Sequence, residues 1–398
     1  MTIGAVAHGG FCIARHGGRV VFVRHCLPGE VVVAEVTEHG PKGRYLRADT
    51  VEVLTPSPDR VTPPCRHAGA CGGCDWQHAT LPAQRELKAA VVSEQLRRLA
   101  GVDWNGAVQP VPCDATGLGW RTRVRLAVDD DGTVGFRRHR SHEVVAVDRC
   151  PLAHPLVQSV QTSAVEERRW PPAVDVEVAC APTTGETTVR LTSSPNRPPA
   201  PTPGRSEGDR VLHEEAAGRS WRVSGGFWQA HAGAPGVLVD CVTRQLAPRP
   251  GDHLLDVYAG VGLFAGALGG RVGVGGRIDV VEAEATACLD AAVNLADLPW
   301  ATVHRSAALR YLRHSGLRRA DIIVLDPPRT GAGREVSRRL CALRPRAISY
   351  VACDPAALAR DVATFADEGY RLADLEAFDL FPMTHHVECV ALLVPDSN

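Results

Sequence analysis

The chain has 398 residues, with 44 basic and 45 acidic side chains and a formal net charge of −1. This length and a 44% apolar content allow more than one hydrophobic core. The balanced charge excludes a uniformly basic surface, so any nucleic-acid site must be local. The 13 scattered cysteines, with no recognisable signal segment, favour a reducing, cytoplasmic location. No apolar run is long enough to span a bilayer, so we expect no membrane partner.

Residues 1–55 are predicted to form a small β-barrel. Apolar and polar residues alternate in three short runs, which are separated by turns at Gly17-Gly18 and Pro28-Gly29. Short strands with regular turn signals are typical of such barrels. Side chains that could contact RNA phosphates or stack on a base are clustered at the end of this region: Lys42, Arg44, Tyr45 and Arg47.

A second region, residues 56–224, carries three closely spaced cysteines in a glycine-rich loop. Cys65, Cys71 and Cys74 have the spacing C-x5-C-x2-C, and Cys150 is the best candidate for a fourth ligand, with Cys113 as a spare. Zinc and iron-sulfur sites use the same thiolate ligands, so the spacing alone leaves both open.

The rest of this region contains three further features. An amphipathic helix is predicted at 82–100, bridging the cysteine loop to the next part of the chain. Alternating arginines in 119–126 and 135–140, together with Trp120 and Phe136, predict a sheet that faces RNA. The proline-rich stretch 193–204 predicts a mobile loop.

From residue 225 to 398, strands and helices alternate, which predicts a doubly wound parallel sheet. The first strand ends at Asp256, whose carboxylate is expected to lie in the crevice at the end of the sheet. Gly260 and Gly262 form a turn of the kind that approaches a nucleotide. A second strand ends at Glu282, placed to bind both hydroxyls of a ribose. A dinucleotide-binding fold would share these features. The third strand ends in Asp326-Pro327-Pro328, which favours an S-adenosylmethionine-dependent methyltransferase over a dehydrogenase.

Cys353 lies between a strand and a helix that starts with proline. Backbone N–H groups at the helix start would favour its thiolate, making it a nucleophile near neutral pH; a simply packed cysteine is the alternative. A thiolate that adds to carbon 6 of uracil or cytosine makes carbon 5 nucleophilic. Glu388, flanked by apolar residues that should raise its pKa, is the predicted base for the carbon 5 proton, with His385 or His386 as alternatives.

The motifs as a set resemble the RNA uracil-5-methyltransferase family, over nearly the whole chain. The resemblance implies that Cys353 is the nucleophile and Glu388 the base. It also implies that Gln229, Tyr258, Glu282 and Asp326 contact the methyl donor, and that Asp326 touches the uracil edge. The chain departs from the family at His304 to Ala308, so adenine is expected to be bound more weakly or differently. The matching segments are Gly226 to Gln229, Asp256 to Gly262, Asp326 to Gly331, Tyr350 to Pro355 and His386 to Glu388.

The segment Cys71 to His78 resembles the [4Fe-4S] site of the ribosomal RNA branch. The resemblance therefore implies an iron-sulfur cluster rather than zinc, and a TRAM domain for the barrel. The expected architecture is α/β: an N-terminal barrel of the oligonucleotide-binding type, a central cluster-bearing β-rich domain, and a C-terminal Rossmann-like class I methyltransferase domain.

The function expected from the resemblance is S-adenosylmethionine-dependent methylation of uridine carbon 5 in RNA, with 23S rRNA as the partner. Three alternatives stay open: a tRNA enzyme, an amino-methyltransferase that uses Asp326-Pro-Pro and needs neither Cys353 nor Glu388, and a non-catalytic RNA-binding protein. The cluster is expected to be structural. The sequence does not fix the oligomeric state, and a monomer is the expectation.

Overall fold

A computed structural model describes residues 1–112, 115–161, 170, 174–193, 206–208 and 211–396. The predicted spare ligand Cys113 and the predicted mobile stretch, from residue 194 to 204, lie outside the described residues. The described strands form sheets of five, six and eight strands and one two-stranded hairpin. Across the described ranges, no helix combines the length and apolarity needed to cross a bilayer.

The first sheet belongs to the N-terminal 55 residues. Its strand order is β1-β2-β3-β5-β4, with β3 and β5 parallel and the other neighbours antiparallel. A bridge between Thr2 and Val31 brings the two edges of the sheet together around a core that includes Val21, Val23 and Val32. The strands are β1 (Val6–Ala7), β2 (Phe11–His16), β3 (Arg19–Arg24), β4 (Val31–His39) and β5 (Tyr45–Thr55).

Helix α1 (Leu81–Ala100) joins two hydrophobic cores. Thr80 caps its first turn, and it ends at Gly101, which has a φ of 66°. Leu87 and Val91 pack in the core of the first sheet, whereas Val92 and Leu96 pack in the core of the eight-stranded sheet. The predicted helix at 82–100 is present, but it links these two cores. A short strand, β6 (Val108–Gln109), follows it.

The six-stranded sheet is antiparallel, with the order β12-β11-β10-β7-β8-β9. Its strands are β7 (Arg123–Val128), β8 (Val134–Arg137), β9 (Val144–Ala146), β10 (Val174–Cys180), β11 (Thr187–Ser193) and β12 (Ser206–Gly208). Helix α2 (Pro155–Val160) packs on it through Val157. A hairpin of β13 (Leu212–Ala216) and β14 (Arg219–Val223) follows.

The eight-stranded sheet has the order β17-β16-β15-β18-β19-β21-β20-β6. The strands from β15 to β19 are parallel, and β21 runs antiparallel between β19 and β20. The strands are β15 (His253–Val257), β16 (Arg277–Glu282), β17 (Ala301–Arg305), β18 (Ile322–Leu325), β19 (Ala347–Ala352), β20 (Tyr370–Phe378) and β21 (Glu388–Pro395). The helices are α3 (Ala234–Leu246), α4 (Leu263–Val272), α5 (Ala285–Asn294), α6 (Ala308–His314), α7 (Arg334–Ala342) and α8 (Pro355–Asp367). This is the alternation that the sequence predicts.

Two elements from before residue 225 belong to this C-terminal unit. Strand β6 extends the eight-stranded sheet by pairing with β20. Trp221 of the hairpin is fully buried in the hydrophobic core that also includes residues of α3, α4 and the sheet. Asn294 of α5 hydrogen-bonds the backbone of Arg222. The predicted domain boundary at residue 224 therefore falls inside a packed unit. The sequence of a hairpin does not reveal which hydrophobic core its side chains join.

Candidate active site

The carboxyl ends of the parallel strands bring the predicted site residues to one edge of the sheet. Tyr258 follows β15, Glu282 ends β16, Asp326 follows β18, and Cys353 follows β19. Adjacent strands are in matching register here, since Val257 pairs with Leu325 and Leu325 with Tyr350. Open α/β sheets bind their ligands at this edge.

Cys353 and Glu388 face each other across neighbouring antiparallel strands. The ladder between β19 and β21 pairs Ala352 with Cys389, so the next opposing positions are 353 and 388. Glu388 is 3% exposed, whereas Cys353 is partly accessible. The predicted nucleophile and base therefore lie side by side, with the end of β18 next to them.

The glycine turn after β15 has the predicted tight geometry. Gly260 and Gly262 both have positive φ, 55° and 89°, and Gly262 precedes helix α4. The carboxylate of Glu282 accepts hydrogen bonds from the backbone N–H groups of Gly260 at 2.9 Å and Ala283 at 2.6 Å. Tyr258 also has a positive φ, 62°, so the chain turns away from the sheet directly after β15.

Asp256 does not present its carboxylate to the crevice, which corrects the expectation from the sequence. It is 1% exposed, and its Oδ2 accepts a hydrogen bond from the backbone N–H of Ala265 in the first turn of α4. Its Oδ1 is buried without a hydrogen-bond partner among the described residues. Burial raises the pKa of Asp256 to about 7. Asp256 thus ties the end of β15 to the first turn of helix α4.

Gln229 reaches the carboxylate at the end of β18. Gln229 is 7% exposed, and its Nε2 donates to Asp326 Oδ2 at 3.4 Å. Burial raises the pKa of Asp326 to about 7. Burial and the neighbouring Asp326 also raise the pKa of Glu388 well above its ordinary value, as predicted. The site therefore holds two carboxyl groups, those of Asp326 and Glu388, whose burial disfavours the ionised form.

The thiol of Cys353 does not gain the predicted help from the helix start. Burial, followed by the negative charge of Glu388, raises its pKa to about 12. The N-terminus of α8 is instead capped by Asp354, whose Oδ1 accepts from the backbone N–H of Ala357 at 2.7 Å. Burial and the nearby carboxyl groups of Glu388, Asp326 and Asp354 therefore favour the thiol form of Cys353.

Arg329 is a site residue that the sequence analysis missed. It is exposed, and its positive charge partly offsets the rise in the pKa of Cys353 and of Glu388. Its Nη2 donates to His386 Nε2 at 3.4 Å. Burial lowers the pKa of His386 to about 3, so this imidazole is a poor base. The sequence signal for Arg329 was its place in the Asp326-Pro-Pro-Arg329 turn.

The arginine row is not the free RNA-facing surface that the sequence predicted. Strand β7 carries Arg123 and Arg125, which pair with Glu214 and Asp175 at 3.0 and 2.9 Å. Trp120 is only 4% exposed and stacks on a histidine ring with the centroids 5.6 Å apart. These carboxylate partners offset the positive charge of Arg123 and Arg125.

Cys65, Cys71, Cys74 and Cys150 all line one small cavity between the cysteine loop and the segment after β9. The backbone N–H of Gly73 points at the sulfur of Cys71 from 3.4 Å. The backbone N–H of Gly72 donates to the Arg137 carbonyl, and an added Cβ at Gly72 would lie 2.7 Å from that oxygen. In the described part of the chain, no three His, Cys, Asp or Glu side chains are close enough together to hold a single metal ion.

This chain is similar to known RNA methyltransferases. A family model described as tRNA (uracil-5-)-methyltransferase matches residues 308–395. An uncharacterized RNA methyltransferase of Streptomyces avermitilis is 48% identical, covering 99% of this chain and 98% of the relative. The 23S rRNA (uracil(1939)-C(5))-methyltransferase RlmD of Shewanella sp. strain MR-4 is 34% identical, covering 97% of this chain and 93% of that protein.

The chain belongs to the RNA uracil-5-methyltransferase family. The crystal structure of the Pyrococcus abyssi tRNA (uracil-54, C5)-methyltransferase in complex with S-adenosyl-L-homocysteine has the same fold. The TM-score is 0.75 at 24% identity, covering 99% of this chain and all of the other. This uracil-5-methyltransferase is thus an RNA-modifying enzyme, and family membership decides against the amino-methyltransferase alternative.

The methyltransferase also has site contacts between residues distant in sequence, which no local motif indicates. His8, directly after β1 of the five-stranded sheet, shares a hydrogen bond with Asp354 Oδ2 at 3.0 Å, next to the predicted nucleophile. Asp75, directly after Cys74, accepts hydrogen bonds from His385 near the predicted base. The N-terminal region therefore contacts both segments that carry Cys353 and Glu388.

Proposed function

We propose that this enzyme methylates carbon 5 of a uridine in 23S rRNA through a covalent adduct with Cys353. The observation that carries the proposal is the pairing of Cys353 with Glu388 on neighbouring strands, beside the end of β18. A nucleophile and a base on the same side of the site suit a reaction in which one group adds to carbon 6 and the other deprotonates carbon 5.

In the proposed reaction the partly accessible Cys353 releases its proton to solvent and forms a bond from sulfur to carbon 6 of uracil. The electron pair moves to carbon 5, which takes the methyl group from the sulfonium and releases S-adenosylhomocysteine. Glu388 then removes the carbon 5 proton, and elimination breaks the bond between carbon 6 and sulfur, so the thiolate is restored. Because burial raises the pKa of Glu388, its carboxylate is a stronger base than an ordinary glutamate. Arg329 would favour the thiolate of Cys353.

The methyl donor would lie along the turn after β15. The partly buried Gly260 and the carboxylate of Glu282 suit a ribose, whose hydroxyls would compete for the acceptor atoms now bonded to Gly260 and Ala283. Gln229, Tyr258 and Asp326 would bind the rest of the donor. Since Asp326 follows the strand next to Cys353, it can also reach the uracil edge.

We assign a [4Fe-4S] cluster to the four cysteines Cys65, Cys71, Cys74 and Cys150. All four line one cavity, and a backbone N–H points at one of the sulfurs, which suits the sulfurs of a cluster. The likeness of Cys71 to His78 to the [4Fe-4S] site of the ribosomal RNA branch favours a cluster over zinc bound by the same four thiolates. The cluster would hold the cysteine loop in place without taking part in the reaction.

The five-stranded sheet is proposed to be a TRAM-type barrel that binds RNA, in a cytoplasmic protein. Its edges are brought together by the bridge between Thr2 and Val31, as in small barrels of the oligonucleotide-binding type. Arg47 lies 5.4 Å from the ring centroid of Tyr45, so this pair could present a cation and an aromatic face to a base.

The substrate is tested by giving purified enzyme S-adenosylmethionine with a labelled methyl group and either 23S rRNA or tRNA that lacks modifications. The modified nucleoside is then identified by nuclease digestion and mass spectrometry. The proposal expects 5-methyluridine in 23S rRNA and none in tRNA. Labelled 5-methyluridine in tRNA alone would contradict the choice of substrate.

The cluster is tested separately by iron analysis and visible absorption of protein purified without oxygen. We expect Cys150→Ala to lose the iron and Cys341→Ala, a buried cysteine on α7, to keep it. A parent protein that contains zinc and no iron would contradict the cluster.

A further inference from the structure

The segment between β20 and β21 ends at the predicted base, and three side chains from distant parts of the chain hold it. Lys88 Nζ donates to Asp379 Oδ1 at 2.5 Å, and Gln84 Oε1 accepts from the backbone N–H of Met383 at 2.7 Å. Both of these side chains come from helix α1. The third contact comes from the cysteine loop, and it lies nearest to Glu388.

That third contact is made by Asp75. Its Oδ2 accepts from His385 Nδ1 at 2.6 Å and from the backbone N–H of His385 at 3.1 Å. Because a carboxylate only accepts, the Nδ1 atom of His385 must carry a proton. The backbone N–H of Asp75 donates in turn to the carbonyl of Met383 at 3.0 Å. The loop and the segment are therefore clamped at both backbone and side chain, three residues before Glu388.

The barrel closes this junction from a third side. Gly10 has a φ of 84°, and an added Cβ would lie 3.1 Å from the Cβ of His385 and 3.2 Å from the Cβ of Asp75. Trp76, next to Asp75, donates from its indole Nε1 to the carbonyl of Gly10 at 3.2 Å. Only 12% of the Asp75 side chain and 25% of the His385 side chain are exposed. The contact is thus confined and has little freedom to shift.

The imidazole of His385 also contacts a second histidine, which lies closer to the reacting groups. Its ring centroid lies 4.1 Å from that of His386, which in turn accepts from Arg329. Arg329 is the cation that faces Cys353 and Glu388. A displacement of His385 would therefore move both the backbone that leads to Glu388 and the histidine that contacts Arg329.

We propose that Asp75 is a positioning residue that sets Glu388 for removal of the carbon 5 proton, by holding His385. The proposal rests on the proposed covalent reaction and adds to it a role for the cysteine loop: the loop supports the base as well as any cluster. Because proton removal is the step after methyl transfer, weakening this contact should slow the resolution of the adduct and leave its formation intact.

The test compares Asp75→Ala and Asp75→Asn with the parent enzyme and with a matched control, Asp148→Ala. Asp148 lies two residues before Cys150 and pairs with Arg66 at 2.6 Å, but no contact of this carboxylate with the catalytic segments is found within the described ranges. For each protein we would measure the iron content, kcat, KM for RNA and for S-adenosylmethionine, and the amount of RNA that stays covalently attached in denaturing gels.

Asp75→Ala is expected to retain its iron and both KM values, to lose about 10- to 100-fold in kcat, which is the cost of a small misplacement, and to accumulate the covalent RNA adduct. Asp75→Asn should recover most of kcat, because the amide oxygen still accepts from His385. Asp148→Ala should behave as the parent. If Asp75→Ala does not fold, His385→Ala removes the same contact from the other side and should give the same kinetic result.

An Asp75→Ala protein with parental kcat, or one that loses iron together with activity, would overturn the proposal; in the second case Asp75 would serve the cysteine loop alone. A rise in KM without accumulated adduct would also overturn it. If the parent enzyme itself forms no adduct with Cys353, the proposed reaction fails, whereas normal adduct turnover in both parent and Asp75→Ala refutes only the positioning role.

Discussion

The buried ion pair between Lys88 and Asp379 is predicted to be necessary for stability, and its replacement by apolar side chains is predicted to be tolerated. Lys88 on α1 is completely buried, and Asp379 after β20 is 2% exposed. The Lys88 Nζ atom also donates to the carbonyl of Phe381 at 3.0 Å. Lys88→Met would leave the carboxylate of Asp379 in the protein interior without this cation.

Removing one member of a fully buried pair costs about 3–5 kcal/mol, because a charge is left without compensation. A domain is stabilised by only about 5–15 kcal/mol in total, so the loss is large. Lys88→Met combined with Asp379→Leu removes both charges and fills the space with apolar atoms. Such double replacements are often neutral, so the double variant should regain most of the lost free energy.

The assay is urea unfolding of the parent, the single variants and the double variant at neutral pH, followed by circular dichroism. The expected order of midpoints is parent and double variant high, with Lys88→Met and Asp379→Leu low. A single variant within about 1 kcal/mol of the parent, the range of an exposed pair, would refute the reasoning. So would a double variant that loses the sum of the two single losses.

Three further predictions concern charge. The rate of single-turnover methylation should rise from about pH 6 to about pH 9, because burial raises the pKa of Cys353 and Glu388 and both groups react without their protons. A rate that falls over this range would contradict the prediction. Burial raises the pKa of Asp279, but hydrogen bonds from two histidines and an arginine more than offset this and lower it. Asp279→Asn should therefore lower the melting temperature at pH 7, and the difference from the parent should shrink as the pH falls below the ordinary aspartate pKa. An equal difference at pH 3 would argue against the ion pairs. The hydrogen bond to Asp354 raises the pKa of His8, so the imidazolium that screens Asp354 is present at low pH and is lost as the pH rises through the folded-state pKa of His8. His8→Ala should therefore reduce kcat at pH 6.5 and have little effect at pH 8.5. Equal effects at both pH values would contradict the charge argument.

The elements of the methyltransferase unit could be predicted because local sequence determines them. Buried β-branched runs end at Glu282 and before Asp326, and a glycine turn follows the first strand of the unit, so the edge of the sheet was predictable. Proline at position 355 marked the helix after Cys353. These signals lie within a few residues of the side chains that they place.

The features that sequence did not predict depend on partners far along the chain. Asp175 lies 50 residues from Arg125, and Glu214 lies 91 residues from Arg123, so the arginine row resembled a free basic face. The pKa of Cys353 depends first on its burial and then on the nearby carboxyl groups of Glu388 and Asp326, none of which the sequence specifies. Local patterns predict strands and turns, whereas charge pairing and desolvation arise only in the folded protein.

The contact between Asp75 and His385 joins residues that are 310 positions apart. In the sequence, Asp75 was only a neighbour of a cysteine and His385 only an alternative base. The structure gives both a place at the junction of three regions. The fold thereby connects the N-terminal regions to the reaction more directly than a division into an RNA-binding part and a catalytic part suggests.

The central claim is covalent catalysis at carbon 5, and the most direct measurement is tritium release from 23S rRNA that carries 5-tritiated uridine. The account predicts that the parent releases tritium only with S-adenosylmethionine and that Cys353→Ala releases none. It also predicts that Glu388→Gln forms the covalent RNA adduct and retains the tritium. Methyl transfer to RNA by Cys353→Ala at the parental rate would contradict the account.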